Sequence, residues 1–163
     1  MYDAAPENSV DSRALRQACG CFASGVTVVT TRTPQGDHGM TVSAFMSVSL
    51  DPPLICVSLG VGSKMVSKVR ARQRYAVNVL TQSMRTHALH FAGRPDEELE
   101  DLFEDRHGMP ALRGAAALLV ADVVNEVEAG DHLLLVGQVC HIECDPTAPP
   151  LLYHAGQFGG LGA

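Results

Sequence analysis

The sequence predicts a mainly β fold: a closed or nearly closed antiparallel β-barrel with peripheral helices. Apolar runs rich in β-branched residues follow one another along the chain, joined by short turns that contain glycine or proline, as in successive hairpins. The helical segments occur as excursions between these hairpins and do not alternate regularly with the strands. No G-x-G-x-x-G motif follows a strand, so a parallel dinucleotide-binding βαβ sheet has no support.

The composition indicates one domain with a substantial core. Of the 163 residues, 46% are hydrophobic, and we expect residues 1–10 to form a flexible tail ahead of a single domain over residues 11–163. Charged residues make up 18%, below the roughly 25% of typical domains, so part of the surface is expected to lie in an oligomer interface. The net charge of −6 argues against nucleic acid or an anionic membrane as a partner.

The cysteine count and the N-terminal residues bear on the compartment. There are five cysteines, an odd number without the spacing of a disulfide framework. The N-terminal segment has neither a basic cap nor an apolar stretch, and no apolar run reaches the roughly 20 residues that span a bilayer. We therefore expect a cytoplasmic protein with free thiols and no membrane association.

The first half of the chain is predicted to contain two helices and three strands. Asp11 or Ser12 can cap a first helix, and Gly25 is expected to end it. Residues 34–37 form a turn, and the two prolines after Asp51 break the chain before the next strand. The predicted strands cover residues 25–33, 38–45 and 54–60, and the second helix begins near Ser63.

The second half begins with a compact strand and ends with a long hairpin. Residues 75–80 form the strand, and residues 82–93 have the helical period, with Met84, His87, Ala88 and Phe91 facing inward. The acidic stretch over residues 96–105 is compatible with helix or loop. Two long strands cover residues 116–130 and 130–144, with Gly130 and Asp131 in the turn between them.

Local motifs identify no covalent or metal chemistry. The chain has no phosphate-loop spacing, no nucleophile elbow and no CxxC pair, and we expect no metal site, because His87 and His90 have no third ligand nearby in the sequence. Two features stay open. The serines and threonines of residues 40–50 suit the lining of a flat heterocycle or a solvent-facing strand edge. Ser63 and Lys64 suit a phosphate site or an ordinary helix N-cap with an exposed lysine.

Several segments form a recognisable order along the chain. They are GCFASGVTVVTT (20–31), TVSAF and SVSLDPP (within 41–53), LICVSL (54–59), SK (63–64), YAVNVL (75–80), HFAG (90–93), GDH (130–132), LLLVGQV (133–139) and PLLYHAGQF (150–158). Together they resemble the flavin reductase-like family, the small reductase components of two-component flavin monooxygenases. The resemblance runs from about Leu15 to Phe158, and the segments of residues 41–53 and 130–132 are specific to that family.

The resemblance implies a fold, a reaction and partners. It implies an antiparallel, Greek-key-like split β-barrel that forms a homodimer and binds FMN or FAD. NADH or NADPH would be the hydride donor, and the reduced flavin would pass to a separate monooxygenase. NADH is favoured over NADPH because no arginine cluster can be assigned to a 2′-phosphate. The alternative is a split-barrel protein that keeps its flavin as a prosthetic group and carries electrons or reduces another acceptor.

The resemblance also implies a set of site residues. Thr41, Val42, Ser43 and Ala44 resemble the family's contacts with the flavin ring, and Ser47, Ser49, Cys56, Val57 and Ser58 match further stretches lining the flavin site. Ser63 and Lys64 match the phosphate-side loop, and Phe91, Ala92 and Gly93 match the segment against the ribityl chain and ring. His132 matches a histidine near the nicotinamide, and Tyr153 matches the same area. Hydride transfer requires no covalent nucleophile, so His132, which can position the nicotinamide or buffer charge, is the one candidate catalytic residue.

Overall fold

A computed structural model of the protein describes residues 10–162, which form twelve strands, three α-helices and one 3-10 helix. Predicted tail residues 1–9 lie outside the described residues. The helices are α1 (Ser12–Gly20), α2 (Lys64–Arg72) and α3 (Arg85–His90), and the 3-10 helix is Gln82–Met84. The strands are β1 (Ser24–Gly25), β2 (Thr27–Thr33), β3 (Gly36–Val42), β4 (Phe45–Leu50), β5 (Pro53–Gly60), β6 (Arg74–Val79), β7 (Phe103–Arg106), β8 (Met109–Leu112), β9 (Ala117–Ala129), β10 (His132–Cys144), β11 (Leu152–His154) and β12 (Gln157–Gly159).

Seven antiparallel strands form the main sheet, in the order β3-β2-β6-β9-β10-β5-β4. Its two edge strands, β3 and β4, are consecutive in the chain and are joined only by Ser43 and Ala44. Side chains from both edges reach the same buried cluster, Val42 from β3 and Phe45 from β4, because the sheet curls round until its edges meet. The predicted antiparallel β-barrel with peripheral helices is confirmed, and the seam at residues 43–44 is where it is split.

Helix α2 closes one end of the barrel. Met65, Val66 and Val69 are buried in the barrel core, where they pack with residues such as Tyr75 and Leu133. The side chain of Ser63 accepts a hydrogen bond from the backbone N–H of Val66, which caps the helix as the sequence predicts.

Helix α3 packs outside the barrel. Met84 and Ala88 are buried there against Val28 of β2, and the half-buried Phe91 packs against the same cluster. The predicted inward positions Met84, Ala88 and Phe91 are therefore confirmed, whereas His87 is half-buried and lies outside this cluster. No helix of residues 10–162 is both long enough and apolar enough to cross a membrane.

Several predicted boundaries are wrong. Helix α1 ends at Gly20 and not at Gly25. The backbone N–H groups of Cys21 and Phe22 donate to the carbonyls of Ala18 and Cys19, which completes the last turn, and the chain then enters β1, which pairs with β11. The predicted strand over residues 38–45 corresponds to β3, which ends at Val42, and the strand after the seam, β4, was not predicted. The predicted helix over residues 82–93 is a 3-10 turn followed by only six α-helical residues.

Candidate functional site

Two cavities meet at the barrel seam. One has a volume of about 560 Å³ and the other about 330 Å³, and Ser43 lines both. Together they extend from the outer face of β5 and β10 to the loop that follows α3. The seam therefore lies at the centre of a continuous concave surface.

The larger cavity has an apolar wall and a sheet floor. Cys56 and Ser58 of β5 and Leu134 of β10 form the floor, and Ser58 and Leu134 are direct partners in the sheet. Directly opposed residues of an antiparallel pair project to the same face. The remaining lining residues come from α1 and its C-terminal end and from the seam: Cys19, Phe22, Ser24, Ala44, Phe45 and Met46.

The smaller cavity joins β3 to the loop after α3 and to the C-terminal hairpin. Thr41, Ala92 and Tyr153 line it, with the Tyr153 and Phe158 ring centroids 5.2 Å apart. Arg94 also lines it, and no carboxylate of residues 10–162 lies within 4.0 Å of that guanidinium. The other lining residues are Val26, Leu89 and Gly156.

The seam exposes backbone donors. The carbonyls of Ser43 and Ala44 accept hydrogen bonds from the N–H groups of Phe45 (2.9 Å) and Ser58 (3.0 Å). The N–H groups of Ser43 and Ala44 have no partner within residues 10–162, and both residues are exposed. Two backbone donors at the junction of the cavities are therefore available to a ligand.

Thr41 holds the two walls of the smaller cavity together. Its hydroxyl donates to the carbonyl of Ala88 at 2.7 Å, and its N–H donates to the carbonyl of Phe91 at 3.1 Å. Phe91 can approach β3 this closely because position 39 is glycine: a Cβ there would lie 2.7 Å from the Phe91 ring. Thr41 and Gly39 thus set the position of residues 91–93 against the barrel.

The structure brings about half of the predicted site residues together. Those that line the two cavities are Thr41, Ser43, Ala44, Cys56, Ser58, Ala92 and Tyr153. Phe91 and Gly93 adjoin Ala92 in the loop after α3. Burial raises the pKa of the Cys56 thiol, which keeps it protonated and unreactive at neutral pH.

Other predicted residues lie outside the cavity linings. The Val42 and Val57 side chains are in the barrel core, 5% and 0% exposed, because they occupy the inward face of their strands, so only their backbone can serve a ligand. Ser47 and Ser49 lie further along the edge strand β4. Ser63 and Lys64 begin α2 at the end of β5, and Lys64 lines a separate groove.

His132 stands at the rim of the site. It follows the turn at Gly130 and Asp131 and pairs with Gly60 of β5, two residues beyond the Leu134–Ser58 pair on the same sheet face. Its Nδ1 donates to the carboxylate of Asp131 at 2.7 Å, and this hydrogen bond lowers the pKa of that carboxyl. His132 is exposed, so its ring is accessible to a molecule stacked over the floor of the larger cavity.

Some lining residues were not predicted from the sequence. Arg94 directly follows the matching segment at residues 90–93, and Leu134 is two residues from His132 on one strand. The family resemblance of these segments could therefore have indicated both residues. Phe158 closes the last matching segment. Phe22 lies in the matching segment at residues 20–31, but its place in the cavity follows only from the folded chain, in which the end of α1 approaches the seam.

The chain matches the model of the flavin reductase like domain over residues 19–162. It is 43% identical over 150 residues to an NADH-dependent flavin reductase from a Rhodococcus species, covering 90% of this chain and 85% of that protein. It is 36% identical to the reductase component of 4-hydroxyphenylacetate 3-monooxygenase from Thermus thermophilus, over 86% of this chain and 90% of that protein. The solved structure of the flavin reductase PheA2 superimposes with a TM-score of 0.90 and 42% identity, covering 94% of this chain and 100% of that one.

Proposed function

The chain belongs to the flavin reductase-like family, and we propose that it transfers hydride from NADH to FMN or FAD and supplies the reduced flavin to a partner monooxygenase. The observation that carries the proposal is the pair of unpartnered backbone N–H groups at Ser43 and Ala44, where the two cavities meet. The enzyme is an oxidoreductase, and its relatives are named as NADH-dependent flavin reductases and monooxygenase reductase components.

The site fits a flavin. A flat ring system with an apolar edge and a polar edge needs apolar walls beside hydrogen-bond donors. Phe45, Met46 and Leu134 supply apolar walls to the larger cavity, and the seam supplies the donors. Flavin, when bound, accepts the hydride of the nicotinamide at its ring. The N–H groups of Ser43 and Ala44 are held in place by the fold, so they would stabilise negative charge on a bound flavin ring.

The nicotinamide is assigned to the rim beside His132. Asp131 accepts the hydrogen bond of His132 Nδ1 and so fixes the orientation of the ring, which leaves Nε2 to bind the carboxamide of the nicotinamide. We therefore assign to His132 the positioning of the nicotinamide, and it is also a candidate to take up a proton during hydride transfer. Phe45, Met46 and Leu134 of the larger cavity would keep water away from the two rings during transfer.

The phosphate of the flavin is assigned to the start of α2. The N-terminus of a helix presents unpaired N–H groups and a partial positive charge, both of which favour an anion. Ser63 caps this helix, and the exposed ammonium of Lys64 adds a full charge.

The protein is proposed to act as a cytoplasmic homodimer of single-domain chains, each formed by residues 11–163, with the flavin site near the interface. Helix α1 has no buried residue, and Leu15 and Phe22 are 55% and 81% exposed although Phe22 lines the larger cavity. Leu50 of β4 and Ile142 of β10 are 94% and 64% exposed. A second copy of the chain would cover these side chains. The cytoplasmic location rests on the five unpaired cysteines.

Steady-state oxidation of NADH and NADPH in the presence of FMN, FAD and riboflavin tests the function. We expect turnover of added flavin with NADH and a colourless protein after gel filtration. A protein that stays yellow through gel filtration and does not reduce added flavin would instead be the alternative, a carrier with a bound prosthetic group. Absence of NADH oxidation with every flavin would refute the proposal.

A further inference from the structure

We propose that a basic groove on the far side of α2 binds the ADP portion of a dinucleotide. The basic groove is the cavity of about 500 Å³ between α2 and the β2–β3 turn, and its charged side chains are Arg32, Lys64, Lys68 and Arg72. The proposal rests on the proposed function, because the dinucleotides meant are that reaction's own molecules. FAD and NADH both contain an ADP portion, and FMN does not.

The cations of the groove form a row along α2. Lys64, Lys68 and Arg72 are spaced four residues apart, which places them on one face of the helix at intervals of about 6 Å. The turn at residues 33–35 forms the opposite wall and contributes the amide of Gln35. The row is long enough to contact two linked phosphates, and the cavity is in the size range of small-molecule sites.

The three cations of this row form no ion pair with the residues that the structure describes. Within residues 10–162, no carboxylate lies within 4.0 Å of Lys64, Lys68 or Arg72. The other cations of this region are paired. Arg32, on the opposite wall of the groove, pairs with Asp37 and Asp105, so the free positive charge of the groove comes from α2. Arg70 pairs with Glu126 and Arg74 with Asp122. Three unpaired cations on one helix face are notable in a chain with a net charge of −6.

Helix stability accounts for Arg72, which stands in the last turn, but not for the two lysines. A cation in the first turn opposes the helix dipole, so Lys64 is unfavourable where it stands. Lys64 and Lys68 are also like charges at a spacing of four, which further destabilises the helix. The positive field is felt by His38 on β3: burial is the main cause of its lowered pKa, and Lys68 and Lys64 lower it further.

The ligand that matches these features carries two adjacent negative charges and a polar heterocyclic body. A pyrophosphate accepts charge-assisted hydrogen bonds from lysine and arginine. The hydroxyl of Ser67 and the amide of Gln35 can bind the ribose or adenine. If Lys64 holds the flavin phosphate, Lys68 and Arg72 continue the row into the part of the groove that FMN does not need.

The test is the double variant Lys68→Gln/Arg72→Gln. The matched control is Arg16→Gln/Arg85→Gln, which removes the same charge from two exposed positions outside the groove. Calorimetric titration with ADP is the direct readout and is independent of turnover. We expect the groove variant to bind ADP at least about tenfold more weakly than the wild type, because two charge-assisted contacts are lost, and the control to bind it as the wild type does.

Kinetics then identify the source of the ADP portion. A Michaelis constant raised about tenfold for FAD but unchanged for FMN assigns the groove to FAD. A Michaelis constant that is raised for NADH but unchanged for reduced nicotinamide mononucleotide assigns the groove to NADH. Three results would each overturn the proposal. The wild type does not bind ADP, the control variant loses as much ADP affinity as the groove variant, or the groove variant binds ADP more weakly while both Michaelis constants stay unchanged. If the wild type does not oxidise NADH in the presence of FMN, that result contradicts the proposed function itself.

Discussion

The proposed roles of single side chains at the rim of the site can be separated by substitution. The Asp131 side chain is 94% exposed and forms a hydrogen bond with His132, which lies on the same sheet face as Leu134 and Ser58. Lys64 begins the helix that follows Gly60, and its proposed role is electrostatic. Substitution at the two positions should therefore affect different substrates.

His132→Ala should leave flavin affinity nearly intact and slow the reduction of flavin by NADH about tenfold or more, because the nicotinamide loses its positioning group. Stopped-flow absorbance of the flavin band, with NADH titrated, separates weaker donor binding from slower transfer. His154→Ala, at an exposed position on β11, is the control. A variant that reduces flavin at the wild-type rate and saturates at the same NADH concentration would show that His132 is only a turn residue.

Lys64→Ala should weaken FMN binding by about 1–3 kcal/mol, the range for a lost hydrogen bond to a charged group, and leave riboflavin binding unchanged. Fluorescence titration of both flavins measures the difference. Lys68→Ala is the control, because it removes a charge from the next turn of α2 at a position that FMN is not expected to reach. Equal losses for FMN and riboflavin would remove Lys64 from the phosphate site.

At the scale of elements, the position of α3 depends on how closely it approaches β3. Thr41 contacts both Ala88 and Phe91, and the absence of a side chain at Gly39 leaves the space that the Phe91 ring fills. The loop that follows α3 carries Ala92 and Arg94 into the smaller cavity. The packing of one ring therefore determines the shape of one wall of the site.

Gly39→Ala should move α3 and the loop after it, since the added Cβ would lie 2.7 Å from two ring atoms of Phe91. We expect a stability loss of about 1–3 kcal/mol, typical of overpacking, together with a raised Michaelis constant for flavin. Urea denaturation and steady-state kinetics measure the two effects. Gly25→Ala is the control, because a Cβ there meets nothing within 4 Å. An unchanged Michaelis constant would show that this wall does not contact flavin.

At the scale of the whole molecule, two partly buried histidines link stability to pH. Burial lowers the pKa of His38 and that of His87, and the nearby His90 lowers the pKa of His87 a little further. The Nδ1 of His87 is buried and has no hydrogen-bond partner within residues 10–162. A histidine whose pKa is lower in the folded state binds its proton more readily in the unfolded state. Protonation therefore favours unfolding as the pH falls through the ordinary histidine pKa.

The free energy of unfolding should fall between about pH 7.5 and about pH 5, before the carboxylates titrate. Urea denaturation across this range measures it. The double variant His38→Gln/His87→Gln should show a flatter dependence than the wild type, and His154→Gln, at an exposed position, should not. A pH dependence that is the same in all three proteins would contradict this explanation.

The oligomeric state is a second prediction at this scale. Light scattering at micromolar concentration should give the mass of a dimer, because Leu50 and Ile142 are too exposed for an isolated chain. Leu50→Asp should shift the population toward monomer, since a carboxylate cannot be buried unpaired in an interface. Thr33→Asp, on the groove side of the barrel, is the control. A monomer mass for the wild type would refute the proposed dimer.

The sequence alone determined the fold class and the family of this protein. The β-branched runs and turn residues that predict hairpins are local features, as is the cap at Ser63, and the barrel and α2 were found where they were expected. The resemblance of residues 39–59 and 130–139 to the family implied the reaction and its cofactors. Such features need no long-range contact to be recognised.

Tertiary structure decided which of the predicted residues share a site. Thr41 and Tyr153 line one cavity and Ser58 lines the other, and the two cavities adjoin because the folded chain brings β3, β5 and β11 to one seam. Val42 and Val57 turn inward because side chains alternate between the two faces of a strand. The short strands β7, β8, β11 and β12 were missed because their pairing is weakly marked in sequence. The spacing of the three cations on α2 can be read from the sequence. Only the folded chain shows that no carboxylate of residues 10–162 lies within 4.0 Å of them and that the β2–β3 turn forms a groove with the helix.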